Sequence, residues 1–284
     1  MSEEKNIENP AEQPENQQQK NMEVHHPHGP IEKKKFMEYF WEFLMLFLAV
    51  TLGFFAENLR EYQSDRDKEK EYISSFIKNL IQDTTDLNNE IASDNNLISG
   101  LDDLVKIFPY YKDGGENLRI FCQQCVSYIP HNTVFNSNDG TMVQLKNSGG
   151  FRLLAKDFVA DSIVAYDAVT KLTQLGGEYC HDQYNKTYDT WSHVFDLSYI
   201  MDTTYYSDGS FINDMLPSSI LMGSENDMKY FYNSVLQYEG TLSNYISYNL
   251  QNQLDFARRL IPYLRKEYGI EATNEETNSK DSSK

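Results

Sequence analysis

The sequence predicts an all-α protein in which an N-terminal transmembrane helix continues into an elongated antiparallel helical bundle. Three observations predict it. One run, Phe43 to Ala56, is apolar and carries no charge. Apolar residues recur at three- and four-residue steps through most of the chain beyond it. No stretch alternates with period two over a useful length.

The domain organisation rests on composition. Residues 1–31 are Glu, Asn, Gln and Pro with almost nothing to bury, and residues 269–284 are similar, so both ends are expected to be disordered. Residues 32–56 are expected to form the membrane helix and residues 57–268 the helical domain, in a chain of 284 residues that can build a sizeable core.

The uncharged run is 14 residues, too short for a bilayer that needs about 20. Extending back to Phe36 gives 21 residues and takes in Glu38, Tyr39, Trp41 and Glu42. Tyr and Trp favour the headgroup level, where the two glutamates can reach water. The segment before the run is too long for a cleaved signal peptide, and no small-x-small cleavage pattern is present, so the span reads as an uncleaved signal anchor. The Lys33–Lys35 triplet abutting it favours a cytoplasmic N-terminus and a periplasmic helical domain in an inner membrane.

On a helical wheel, Glu38, Glu42, Ala49, Gly53 and Ala56 fall within about 60° of one another. Ala49 and Gly53 form a small-x-x-x-small pair of the kind that lets helices approach closely in lipid. The face either packs on a second helix, its own copy or another membrane protein, or Glu42 simply snorkels to water. A proton-carrying role for Glu42 is a third reading.

Beyond the span, an amphipathic helix is expected to run without interruption to about Phe108, with Ile73, Phe76, Leu80, Leu87, Leu101 and Leu104 inward. "YYKDGGEN" breaks it. A shorter helix comes next, near Asn117–Tyr128, then an Asn- and Ser-rich loop over residues 130–139. A long helix over residues 151–199 carries the stripe Leu154, Phe158, Ile163, Tyr166, Val169, Leu172 and Leu175, weakened at Gly176 and Gly177. "DTTYYSDGSFINDMLPSS" is a turn region. The last helix, residues 225–268, puts Tyr230, Val235, Tyr238, Leu242 and Leu250 inward, and Pro262 should bend or break it. Ser148 is expected to cap the next helix, with Gly149 and Gly150 allowing a tight turn. The alternative for these three residues is a ligand loop presenting backbone N–H groups to an anion.

A formal charge of −18 argues against nucleic-acid binding, which depends on Lys and Arg neutralising phosphates. Cys122 and Cys125 form a Cys-x-x-Cys pair, but no strand precedes them as a redox motif requires. Cys180 and His181 match no zinc-site spacing. Two helix-packing cysteines are expected, with a local disulfide or a metal site as alternatives. "HHPHG", residues 25–29, could bind a metal ion weakly. The sequence contains no Gly-x-Ser-x-Gly, His-Glu-x-x-His or phosphate loop, so neither catalysis nor a cofactor is expected.

Two segments carry a resemblance. Glu42 early in the span, the exit "ENLRE" over Glu57–Glu61, the helix "DKEKEYISSFIKNLIQD", and the element Leu145, Ser148, Gly149, Arg152 and Leu153 together resemble an uncharacterised family of single-span membrane proteins from Bacteroidota. The resemblance covers about residues 32–90 and 141–160. It implies a membrane anchor and a helical domain, and it brings no activity. The expected function is a membrane-anchored interaction or sensing module with the lipid bilayer as partner. The alternative is a structural subunit of a larger membrane complex, assembled through the span.

Overall fold

The computed structural model describes residues 35–132, 134–212 and 216–272, the side chain of Ser218 excepted. The readings of residues 1–31, "HHPHG" included, and of residues 273–284 lie outside the described residues. The chain divides into two compact units, Met1–Asn58 and Leu59–Lys284. The described residues are overwhelmingly helical, so the all-α expectation holds.

Helix α1 (Phe36–Ile107) is 72 residues long and enters both units. Its first part is long and apolar enough to cross a membrane. In the first unit every side chain from Phe36 to Asn58 is exposed, Leu44 alone being half-buried. Thr51 donates its hydroxyl to the Phe47 carbonyl at 2.8 Å, so its polar group is satisfied within the helix.

In the second unit α1 buries Ile73, Phe76, Leu80, Leu87, Leu101 and Leu104, as its apolar spacing predicts. The helix passes through Gly100, where the Tyr128 ring packs so closely that a Cβ would collide with it. A 3₁₀ turn (Phe108–Asp113) comes next, then Gly114 and Gly115, both at positive φ. α2 (Gly115–Tyr128), a loop and α3 (Gly140–Asn147) return along α1. Tyr128 meets Gly100, Asn138 meets Asp83, and Ser148 meets Tyr72.

α4 (Asp157–Val194) runs in the same direction as α1, because Ala155 pairs with Glu69 and Tyr166 with Asp83. A short turn, α5 (Ser198–Met201), precedes the two-residue strands β1 (Tyr206–Ser207) and β2 (Ser210–Phe211). The sequence predicts only a turn region where this hairpin forms. Asp208 and Gly209, both at positive φ, supply the two-residue turn. Gln123 accepts from Phe211 N–H and donates to the Gly209 carbonyl, fixing the hairpin to α2.

The chain then returns through α6 (Glu225–Asn244), a π-helical segment (Tyr245–Leu250) and α7 (Gln251–Tyr268). A capping box between Ser224 and Asp227 starts α6. This path runs opposite to α4 and α1: Ser234 meets Thr187, Gln253 meets Thr170, and Tyr268 meets Glu69.

Two cores result. One joins α1 from Leu87 to Leu104 with α2, the end of α4 and α6. The other joins Ile73, Phe76 and Leu80 with Leu145, Ile163 and Leu260.

Four expectations are corrected. The long helix spans residues 157–194, not 151–199, because residues 150–153 form a 3₁₀ turn and Leu154 is extended. Its stripe is not Phe158, Leu172 and Leu175, which are exposed; Val159, Thr170, Thr173, Gly177 and Cys180 are buried instead. Tyr230 is also exposed, and α7 continues through Pro262 without breaking.

Candidate functional site

The sequence singles out two groups. In the first, Glu38, Glu42, Ala49, Gly53 and Ala56 all lie on exposed surface of α1. A Cβ added at Gly53 would meet nothing within 4 Å, so the small-residue face is open to a neighbour.

The second group is a tight turn. Ser148 ends α3, and its hydroxyl donates back to the Gln144 carbonyl at 2.6 Å and lies 3.3 Å from the Tyr72 hydroxyl. It does not cap the helix ahead, which corrects that expectation: a 3₁₀ turn follows with Gly149 before it, and α4 begins only at Asp157, out of reach of Ser148. Gly149 adopts φ 69°, and a Cβ on Gly150 would stand 3.2 Å from the Leu145 Cα. The glycines therefore serve the turn as expected, one by conformation and one by close approach. The turn delivers Leu153, whose carbonyl accepts from Arg66 at 2.8 Å.

That contact belongs to the first of two buried polar clusters. Glu69, buried on α1, binds Arg66 and accepts from Ala155 N–H at 2.7 Å and from the Tyr268 hydroxyl at 2.6 Å. In the second, buried Asp83 accepts from the hydroxyls of Ser137 and Tyr166 and from the backbone and side-chain N–H of Asn138, at 2.6 to 2.9 Å. Gln253 extends this cluster by donating to Tyr166 and Thr170. Burial, with the Asp83 charge beside it, pushes the Tyr166 hydroxyl well above its usual pKa. Each carboxylate ties three parts of the fold together. A signal for both was present: Glu69 and Asp83 fall at core spacing with Ile73, Phe76, Leu80 and Leu87.

The three cysteines are buried free thiols. Cys122 and Cys125 face the first core from α2, in keeping with helix packing. Burial raises all three, Cys180 to about 12 with Asp94 contributing, so none is a ready nucleophile. Among the described residues no group of three His, Cys, Asp or Glu could hold a metal ion.

His181 lines a surface cleft of about 630 Å³ with Phe135, Asn136, Gly177, Glu178 and Asp182. Its Nδ1 lies 2.8 Å from the Asn132 amide. Glu178 and Asp182 are exposed, one turn apart on α4. His193 instead bonds the Asp189 carbonyl of its own helix.

These residues form an exposed apolar helix and two buried polar clasps. The chain matches no known protein family, no curated protein and no solved structure.

Proposed function

We propose that this protein is a membrane-anchored helical interaction or sensing module without catalytic activity of its own. The observation that carries this reading is the first part of α1. From Phe36 to Phe55 the side chains of Phe, Leu, Met, Val and Trp stand exposed on a helix long enough to span a bilayer. In water such a surface costs about 25 cal/mol for each Å² of apolar area, a cost that lipid removes. The later helices are taken to form an antiparallel bundle, up along α1, back through α2 and α3, up along α4 and back through α6 and α7. The resemblance to single-span Bacteroidota membrane proteins is in keeping with this reading.

The proposed setting is an inner membrane, with the N-terminus cytoplasmic and the bundle periplasmic. Reporters active only in the periplasm or only in the cytoplasm, fused separately after Lys284, test the orientation. Retention of the full chain in the membrane pellet after alkaline carbonate is the expected outcome, and release into the supernatant overturns the anchor. Activity of the cytoplasmic reporter alone reverses the orientation.

A second reading, a subunit of a larger membrane complex assembled through the span, rests on the open Ala49–Gly53 face. Gly53→Leu then disperses a complex that survives mild detergent, whereas a simple anchor is unaffected by it.

A further inference from the structure

α4 carries two apolar faces, and the fold uses one. The buried face repeats in steps of three and four along the helix: Val159, Ile163, Tyr166, Thr170, Thr173, Gly177 and Cys180. The other face repeats with the same steps, alternately one and two positions earlier: Phe158, Ala165, Ala168, Leu172, Leu175 and Tyr179, with Asp161 completing the series. These are successive a and d positions of a heptad, and the buried residues are its b and f positions. The two faces point about 150° apart on a helical wheel.

Every residue of the second series is exposed; Phe158 is 81% exposed, Leu172 58%, Leu175 60% and Tyr179 62%. It runs for about 30 Å at 1.5 Å per residue. Isolated exposed leucines need no explanation, but an a/d series interrupted only at Asp161 does.

We propose that this seam pairs α4 with α4 of a second copy, as a parallel two-stranded coiled coil. Four observations favour a second copy. A heptad seam fits another heptad in register, and an identical chain supplies one. With Val164 included, the exposed side chains offer an area on the order of 600 Å², close to the roughly 800 Å² each partner gives to a standard interface. Anchoring in one membrane sets two copies parallel, the single point that rests on the proposed function. In that orientation the flanking positions set Val164 beside half-buried Val169 and Lys171 beside half-buried Gly176, and no charge faces Glu178, because Gln183 is buried and donates to Gln237, so no like charges meet at these positions. Asp161 and Asp182 do face their own copies, so the contact is tightest over Ala165–Tyr179, with Val164 at its edge and Phe158 adding a turn beyond Asp161.

The test is site-specific crosslinking of the full chain in mild detergent with a short bis-maleimide. The native cysteines are buried, so a new surface thiol dominates the reaction. Leu172→Cys and Leu175→Cys are expected to give a covalent dimer. Gln174→Cys, exposed beside the seam, should give at least tenfold less. Adding Ala168→Glu to Leu175→Cys should abolish the product while the helical circular dichroism stays unchanged, since Ala168 is exposed. Equal crosslinking at 174 and 175, or none at 172 and 175, overturns the proposal. Dimers that persist by mass without crosslinking at 175 overturn it too, because they are then held elsewhere, the span included. Carbonate extraction read on the same preparation separates failure of the anchor from failure of the seam.

Discussion

Asp83 shows how a single side chain can decide a fold's register. It is buried, and its two oxygens accept four hydrogen bonds from Ser137, Asn138 and Tyr166. Those donors come from the loop before α3 and from α4, so one carboxylate fixes both against α1. Replacing it by Ala leaves the donors of three residues without their acceptor and opens a small void. Each stranded group costs about 1–3 kcal/mol, and some regain water at the edge. Asp83→Ala is therefore expected to lower stability by about 3 kcal/mol, or roughly 10 °C in melting temperature for a domain of this size. Asp83→Asn should be milder, since the amide keeps one acceptor oxygen. Thermal melts of both variants read this directly.

At the scale of elements, α7 and α4 depart most from what their sequences suggest. α7 runs through Pro262 because the residues on either side, Leu260 and Leu264, are buried in the second core. Packing there outweighs the local penalty of a proline inside a helix, about 3 kcal/mol. Pro262 is itself exposed. Pro262→Ala is thus expected to raise stability by about 1–3 kcal/mol, visible as a higher denaturant midpoint at unchanged slope. In the middle of α4, Leu172, Leu175 and Tyr179 face outward while Thr170, Thr173, Gly177 and Cys180 face inward. Gly177 explains part of this: a Cβ there would stand 3.1 Å from the Tyr245 hydroxyl of the π-helical segment. Small residues inside α4 let that wide turn approach, and Asn249 of the same turn donates to the Leu172 carbonyl at 3.0 Å.

For the whole molecule, tyrosine links both cores to pH. Tyr166 lies in one core, and Tyr238 and Tyr245 lie in the other. Burial raises all three hydroxyls well above 10, with Asp83 adding to it at Tyr166 and nearby acidic groups at Tyr238 and Tyr245. A raised folded-state pKa means that the folded chain keeps protons that the unfolded chain releases. Their contribution is intact below pH 10 and is lost as pH climbs from 10 toward the folded values. The net charge of −18 adds self-repulsion that grows as tyrosines ionise. Loss of helical circular dichroism above pH 10 is expected to coincide with a cooperative rise in tyrosinate absorbance. Gradual ionisation with the helix intact would contradict it.

The sequence by itself determined the helical class, the candidate span and most helix boundaries. Those come from local periodicity, from "YYKDGGEN" and from Ser148–Gly150, where breakers act within a few residues. It determined too that Phe36–Ala56 carries its small residues and glutamates on one side. Tertiary structure decided which face of α4 is inside, that Tyr230 points outward, and that Ser148 bonds backward to Gln144 instead of capping the next helix. It also decided the partners of Glu69 and Asp83. The periodicity of α4 fits either of two faces about 150° apart, and hydropathy in its middle favours the outer one. Only the neighbours that arrive from α6, the π-helical segment and α7, up to about 90 residues later in the chain, make the smaller and more polar face the better fit.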